Sequence, residues 1–368
     1  MKRIYFFGAG AEICYGLSSG KSFAEAVIGK DKNSEENKAI AKYYVRSKNH
    51  SWYPNYSKYN WSEKALNKAK IKREQCYRVL KGINFNSMDY KSLDNNEQNY
   101  NAYLGIIDSH FYTIINPKVY GPVKFWNVIS SYNRAYLNIV SSILYGDKQK
   151  ELTQENYFNI LNCPVETIEQ INKKIEEKID IESYYKILKD NVDIDEIQII
   201  TTNYTSICEK VLFNDNSGKK IAYLNGKIGW YEAPYELKVY DVKELKYCKD
   251  IYFPYLFIQS GIKPMIEMRQ YKEYSKMLGM IEDNDVKELV IVGYQFNNDD
   301  NHINSVVREF ILSNKKLVYF NYSNDNIESL LVKLRLDDNY KDNIIIEDIN
   351  SENCFEKFRN YIIKLNKE

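Results

Sequence analysis

Short apolar runs that stop abruptly at glycine or asparagine constrain this chain more than any other feature. Arg3-Ile4-Tyr5-Phe6-Phe7 halts at Gly8-Ala9-Gly10, Ile197 to Thr202 halts at Asn203, and Ile221 to Leu224 halts at Asn225-Gly226. Tyr252 to Gln259 is a fourth run. Glu288 to Val292 ends at Gly293, Lys316 to Phe320 ends at Asn321, and Asn343 to Ile346 closes the series. Runs of this length read as buried strands of a parallel sheet. Helical spacing follows several of them, at Thr205 to Phe213, Asn304 to Leu312, Ile327 to Leu336 and Glu352 to Leu365. Strands alternating with helices predict an α/β fold, a Rossmann-like parallel sheet flanked by helices. Ligands of such sheets sit at the carboxyl ends of the strands. Here those ends carry Gly8, Gly10, Asn203, Asn225, Gly293 and Asn321.

The strand signal fades between about residue 24 and residue 195. Trp61 to Leu80 and Phe125 to Tyr145 read as long amphipathic helices, and Val165 to Ile181 as a charged, solvent-exposed one. Asp31 to Asn60 is polar and tyrosine-rich and reads as a loop. The expectation is a single domain over residues 1–368, with a large helical insertion after the first strand, about 24–195.

Composition narrows the partners. The formal net charge is +1, which leaves no electrostatic footprint for nucleic acid or an anionic membrane surface. No apolar run reaches the ~18 residues that span a bilayer. Met1-Lys2-Arg3 is followed by apolar residues only from Ile4 to Phe7, which makes a strand and not a signal peptide. Six cysteines (Cys14, Cys76, Cys163, Cys208, Cys248 and Cys354) contain no CxxC pair. That spacing argues against a four-cysteine zinc site, and the lack of an export signal predicts reduced thiols in a cytoplasmic protein. The 34 tyrosines read as compositional.

The motifs each carry a chemistry and a plainer alternative. Gly8-Ala9-Gly10-Ala11-Glu12 follows a strand, and its glycines allow backbone to approach a pyrophosphate; the same turn serves without a ligand. Glu12 is an odd neighbour for a phosphate, suited instead to a sugar or an ion pair. Tyr15-Gly16-Leu17-Ser18-Ser19-Gly20, with Phe23 beyond, forms a small-residue loop able to close over a nucleotide. Asn203, after Thr201-Thr202, offers a donor and an acceptor for ribose hydroxyls or a water, or caps a helix. Gly293-Tyr294 precedes Asp299-Asp300-Asn301-His302-Ile303-Asn304, in which the aspartates suit a helix start and His302 reads as structural.

Taken in order, these motifs resemble the sirtuin superfamily. More closely, they resemble the sirtuin-like NAD-hydrolysing domains of bacterial anti-phage defence systems. Gly8-Ala9-Gly10 resembles the family's opening glycine motif, Thr202-Asn203 its second motif, and Asn225-Gly226 falls where the family has His-Gly. Gly293-Tyr294 resembles the glycine after a later strand, and Asn321 an asparagine that meets the adenosine ribose. Residues 299–304 resemble a sequence of the defence-type members. The resemblance covers about residues 1–24 and 196–325. It implies NAD as ligand or substrate, with Asn203 and Asn225 at the reacting ribose. It also implies a cofactor pocket formed by Gly8, Ala9, Gly10, Ala11, Glu12, Gly16, Thr202, Gly226, Gly293, Tyr294 and Asn321, and a homo-oligomer or a defence-system partner. The chain departs from the deacylases in lacking their four-cysteine zinc ribbon. It also carries Thr205 where they have an Asp two residues after the motif asparagine, and Ser18-Ser19-Gly20 and Phe23 where they have Pro-Asp-Phe-Arg.

The reaction so implied is NAD glycohydrolysis, with Asn225 in place of the histidine that takes the proton. A carboxamide has no pKa near 7 and cannot serve as the base. Three accounts stand open. One is an engineered histidine-to-asparagine change, which needs a single nucleotide. Another is a different base, with Glu12, His110 and His302 as candidates. The third is a catalytically inactive module that senses NAD or ADP-ribose.

Overall fold

In a computed structural model, residues 2–18, 23, 34–46, 122–214, 220–233, 238–248, 252–256, 268–297, 300–322 and 325–365 are described. The helix read at Trp61 to Leu80 lies outside them, as do Cys76, His50, His110, Ser19, Gly20 and Asp299. The chain divides into two compact units. The first is Met1–Phe23, Ile171–Ile228 and Phe257–Glu368, and the second is Ala24–Gln170 and Gly229–Leu256. Residues 171–195 therefore go with the first unit, and a second stretch, Gly229–Leu256, goes with the residues inserted after the first strand.

Nine strands are described: β1 (Lys2–Phe7), β2 (Ile197–Thr201), β3 (Ile221–Tyr223), β4 (Gly226–Ala233), β5 (Lys238–Asp241), β6 (Phe253–Leu256), β7 (Val286–Val292), β8 (Lys316–Asn321) and β9 (Ile344–Asp348). Six of them form the parallel sheet that the apolar runs predict, in the order β3-β2-β1-β7-β8-β9. Counting from β1, the chain builds one half of the sheet outward through β2 and β3. It then crosses back to lay β7, β8 and β9 on the other side. The reversal falls between β1 and β7, and doubly wound sheets hold ligands at such a point.

Both faces of this sheet are covered, which is why its strands are apolar without alternation. Ile4 and Phe6 join Leu289, Ile291, Leu317 and Tyr319 in a core with Met277, Phe310 and Leu331, from helices Met268–Glu282, Asn301–Leu312 and Ile327–Leu334. On the opposite face, Phe7 meets Tyr185 of helix Tyr184–Asn191 edge-on at 4.9 Å, and Phe320 meets Phe358 of helix Cys354–Leu365 at 5.2 Å. Tyrosine is part of this core. Tyr5, Tyr185 and Tyr319 rank among the largest fully buried side chains, so the richness in tyrosine has a packing use besides its compositional origin.

The second unit contains helices Glu35–Arg46, Pro122–Tyr145 and Gln154–Asn162, with a three-stranded sheet ordered β5-β4-β6. Two readings are corrected here. The run Tyr252 to Gln259 supplies β6 to this small sheet and not a strand to the parallel one. Part of the stretch read as a loop is helical. Ser34 accepts the Asn37 N–H at the helix start, and Ala39, Ile40 and Tyr43 are buried at helical spacing. Tyr136 and Tyr231 join their hydroxyls at 2.9 Å inside this unit. Among the described residues, no helix is long and apolar enough to cross a membrane.

Candidate functional site

At the switch point two strand ends lie backbone against backbone. The Gly8 N–H donates to Val292 O and the Gly10 N–H to Gly293 O, both at 2.9 Å. A Cβ on Gly8 would stand 2.4 Å from Gly293 O, one on Gly10 would stand 2.8 Å from Gly293 Cα, and one on Gly293 would stand 2.3 Å from Ala11 N. The missing side chains of all three glycines are thus accounted for by this crossing. In the sequence, Gly8 and Gly10 suit either a close approach to a pyrophosphate or a turn without a ligand. The turn continues as a tight 3-10 helix, Ala9–Tyr15, closed by Gly16 in the left-handed region at φ 86°. Ala9 is half-buried, and Ala11 is buried with its N–H on Gly8 O.

Glu12 emerges from this turn into the interior and is 2% exposed. Tyr185 Oη donates to its Oε1 at 3.0 Å, and Thr205 Oγ1 donates to its Oε2 at 2.8 Å. Asn203 Nδ2 donates to Tyr185 Oη at 3.3 Å. Burial pushes the Glu12 carboxyl up to about 7, against the opposing pull of the hydrogen bonds from Thr205, Tyr185 and Asn203. Around it, burial raises the Tyr185 phenol and the Cys208 thiol, and the negative charge of Glu12 raises both further. In place of the ion pair that the sequence allowed, these contacts give a Glu12 carboxylate held by two hydroxyls.

This arrangement has a consequence for stability. A carboxyl at 4.5 when unfolded and about 7 when folded holds its proton more tightly in the native state. Its favourable contribution is complete below pH 4.5, is lost as pH rises to about 7, and is constant above that. The gap corresponds to ~3 kcal/mol. Urea unfolding across this range is expected to show wild-type stability falling more steeply than that of Glu12→Gln. Parallel curves would remove Glu12 as the cause.

The ends of β2 and β3 are tied to each other and to β1. Thr201 Oγ1 donates to Phe7 O at 2.9 Å and accepts the Asn203 N–H at 3.0 Å, while the Thr202 N–H donates to Phe7 O at 3.2 Å. Thr202 O accepts Asn225 Nδ2 at 3.3 Å. Gly226, at φ 85°, turns the chain from β3 into β4. Helix Met268–Glu282 secures the same corner: Gln270 Nε2 donates to Leu224 O at 2.6 Å, and Glu273 Oε2 accepts the Tyr223 N–H at 3.0 Å. Asn203 and Asn225 are both buried and stand on one hydrogen-bonded edge, with Thr202 between them.

Other residues singled out in the sequence are held differently. Tyr294 lies in the core against Phe6 and donates its hydroxyl to Asn304 Oδ1 at 2.9 Å. Asn304 in turn donates to Asn297 O at 2.9 Å. Asn321 Nδ2 donates to Asp325 O and to Asp348 Oδ1, both at 2.8 Å, and so braces the β8 and β9 ends. His302 packs at a tilt against Tyr274, with ring centres 5.8 Å apart, on the sheet face opposite Tyr185. Asp300 occupies the N-cap position of helix Asn301–Leu312. Among the described residues no group of His, Cys, Asp or Glu is arranged to hold a metal ion.

Tyr185, Thr201 and Gln270 hold the candidate residues and the adjoining backbone through hydrogen bonds, and none of the three was singled out as functional in the sequence. The signal for Tyr185 was present: Ser183 caps a helix whose Tyr184, Ile187 and Leu188 recur at helical spacing. Gln270 had none, since a lone glutamine on an amphipathic helix reads as surface.

No known protein family matches the sequence, and no curated protein does. Among solved structures, the chain is similar to Sir2 bound to acetylated peptide, with a TM-score of 0.32 and 14% identity over 55% of this chain and 81% of that one. It is also similar to a structure on the basis of sirtuin substrate affinity, with a TM-score of 0.31 and 14% identity over 56% of this chain and 78% of that one. Likeness at this level carries no weight, and the α/β fold stands on the six-stranded sheet itself.

Proposed function

We propose that the strand ends at the switch point bind NAD, and that the protein is an NAD glycohydrolase yielding nicotinamide and ADP-ribose. The observation that carries this reading is the shared edge, on which Asn203 and Asn225 flank Thr202 beside the reversal of a doubly wound sheet. Cleavage breaks the bond between nicotinamide and ribose. The electron pair leaves with nicotinamide, water adds to the ribose carbon, and one proton is released. Asn203 Oδ1 is suited to accept from that water or from a ribose hydroxyl, and Asn225 to bond a ribose hydroxyl. Neither amide takes the proton. Glycines 8, 10 and 293, with Ala9, Ala11, Glu12, Gly16, Gly226, Tyr294 and Asn321, would act in this reading by shaping the turns that border the ligand. The setting in bacterial anti-phage defence, as an oligomer or with a partner protein, belongs to the same proposal and draws on the sequence resemblance.

The amide at 225 favours a second reading, an NAD or ADP-ribose sensing module without turnover. Two measurements separate them. Chromatography of an NAD incubation is expected to show nicotinamide from the wild type and none from Asn203→Ala. Calorimetric binding of NAD or ADP-ribose with no nicotinamide over hours would favour the sensor. Binding of neither ligand would sink both.

A further inference from the structure

We infer that Glu12 is a positioning residue that acts through Tyr185 to decide which end of the Asn203 side-chain amide faces the ligand. The chain of donors has one direction. The Tyr185 hydroxyl donates its hydrogen bond to Glu12 Oε1, so its oxygen is left to accept, and Asn203 Nδ2 is the donor it accepts from. Thr205 Oγ1 occupies the other carboxylate oxygen. An ionised Glu12 attracts the amide N–H groups and repels the amide carbonyl, which turns Oδ1 away from the interior as an acceptor. Adding a proton to Glu12 gives it a donor of its own. Tyr185 is then released to donate toward Asn203, and the amide loses its reason to keep Nδ2 inward.

The groups facing Glu12 make this charge the deciding one. Cys14 and Tyr15 lie on its own element, Tyr185 on helix Tyr184–Asn191, Cys208 on helix Ile207–Phe213 and Tyr223 on β3. Burial holds these thiols and phenols above their ordinary values and therefore neutral around pH 7. The Lys227–Glu209 pair stands one group further out, against Tyr223 and Cys208. Glu12 is the member of the cluster that changes charge near neutrality.

The coupling rests on the proposed nucleotide reading only for its ligand, and the test separates the two. The full chain, labelled with nitrogen-15 at asparagine and free of ligand, is titrated from about pH 5.5 to about pH 8.5 while the Asn203 side-chain signal is followed. The signal is expected to shift with a midpoint near neutrality, and both Glu12→Gln and Tyr185→Phe are expected to abolish the midpoint. A flat wild-type signal overturns the inference without needing any variant to fold, and so does an unchanged midpoint in folded Glu12→Gln. Calorimetry with ADP-ribose forms the second arm. Wild-type affinity is expected to fall roughly tenfold from about pH 8 to about pH 6, and Glu12→Gln to lose that dependence. Equal pH dependence in both proteins overturns the inference while leaving the nucleotide reading intact. A titrating Asn203 amide with no ADP-ribose binding at either pH supports the coupling and overturns the nucleotide reading.

Discussion

Asn225→His is expected to raise nicotinamide release from NAD by roughly 10²–10⁴-fold, the usual worth of a positioned general base. Asn225 already donates from Nδ2 to Thr202 O. An imidazole at this place can keep that bond through Nδ1–H, which selects the tautomer with a free Nε2. That nitrogen is basic near neutral pH, whereas the amide it replaces is not. The corner is braced independently by Gln270 on Leu224 O and Glu273 on the Tyr223 N–H, so the backbone has reason to hold. The gain is read as initial rates at saturating NAD for both proteins. A variant that binds ADP-ribose as the wild type does, yet releases nicotinamide no faster, would show that the pocket lacks more than a base. The sensor reading would then take precedence.

Gly293→Ala is expected to remove the fold of the first unit. Two separate penalties meet at this residue. Its φ of +67° lies in the left-handed region, worth ~1–2 kcal/mol against a side chain. Its Cβ would stand 2.3 Å from Ala11 N, and backbone on that side cannot swing away as a flexible side chain would. Together they are expected to exceed ~4 kcal/mol, a large part of the ~5–15 kcal/mol that holds a domain together. Three further alanines divide the effect. Gly8→Ala tests the clash alone, because φ is −95° while Gly293 O lies 2.4 Å from the new Cβ. Gly16→Ala tests φ alone, at +86° with Lys178 Nζ 3.9 Å away. Gly279→Ala carries neither burden, since its helix position has nothing within 4 Å, and is expected to stabilise by up to ~1 kcal/mol. Urea unfolding of the four gives the order. If Gly293→Ala unfolds like Gly279→Ala, the close crossing of the β1 and β7 ends is wrong.

Much of the sheet was legible because a strand buried on both faces advertises itself as a short unbroken apolar run. All six parallel strands carried that mark, and the asparagines and glycines that end them lie at the carboxyl edge. The small sheet was harder. Gly229, at φ +95°, interrupts the alternation of β4, and a two-residue period with such a break cannot be told from a loop. The helix Glu35–Arg46 was hidden by its polarity: among its described side chains, Ala39, Ile40 and Tyr43 are the buried apolar ones.

The candidate site divides in the same way. Asn203, Asn225 and the glycines were found because each breaks a local pattern. The partners that give them meaning come from distant parts of the chain. Tyr185 and Thr205 approach Glu12 across 173 and 193 residues of sequence, and Gln270 reaches Leu224 across 46. Local sequence determined that this chain builds parallel strands ending in glycine and asparagine, because backbone sterics and burial act residue by residue. Only the tertiary structure decided that Gly8, Gly10 and Gly293 are spent on one another, and that the carboxylate of Glu12 turns inward to two hydroxyls. Both outcomes depend on which strand ends meet, and the order β3-β2-β1-β7-β8-β9 is a property of the assembled sheet.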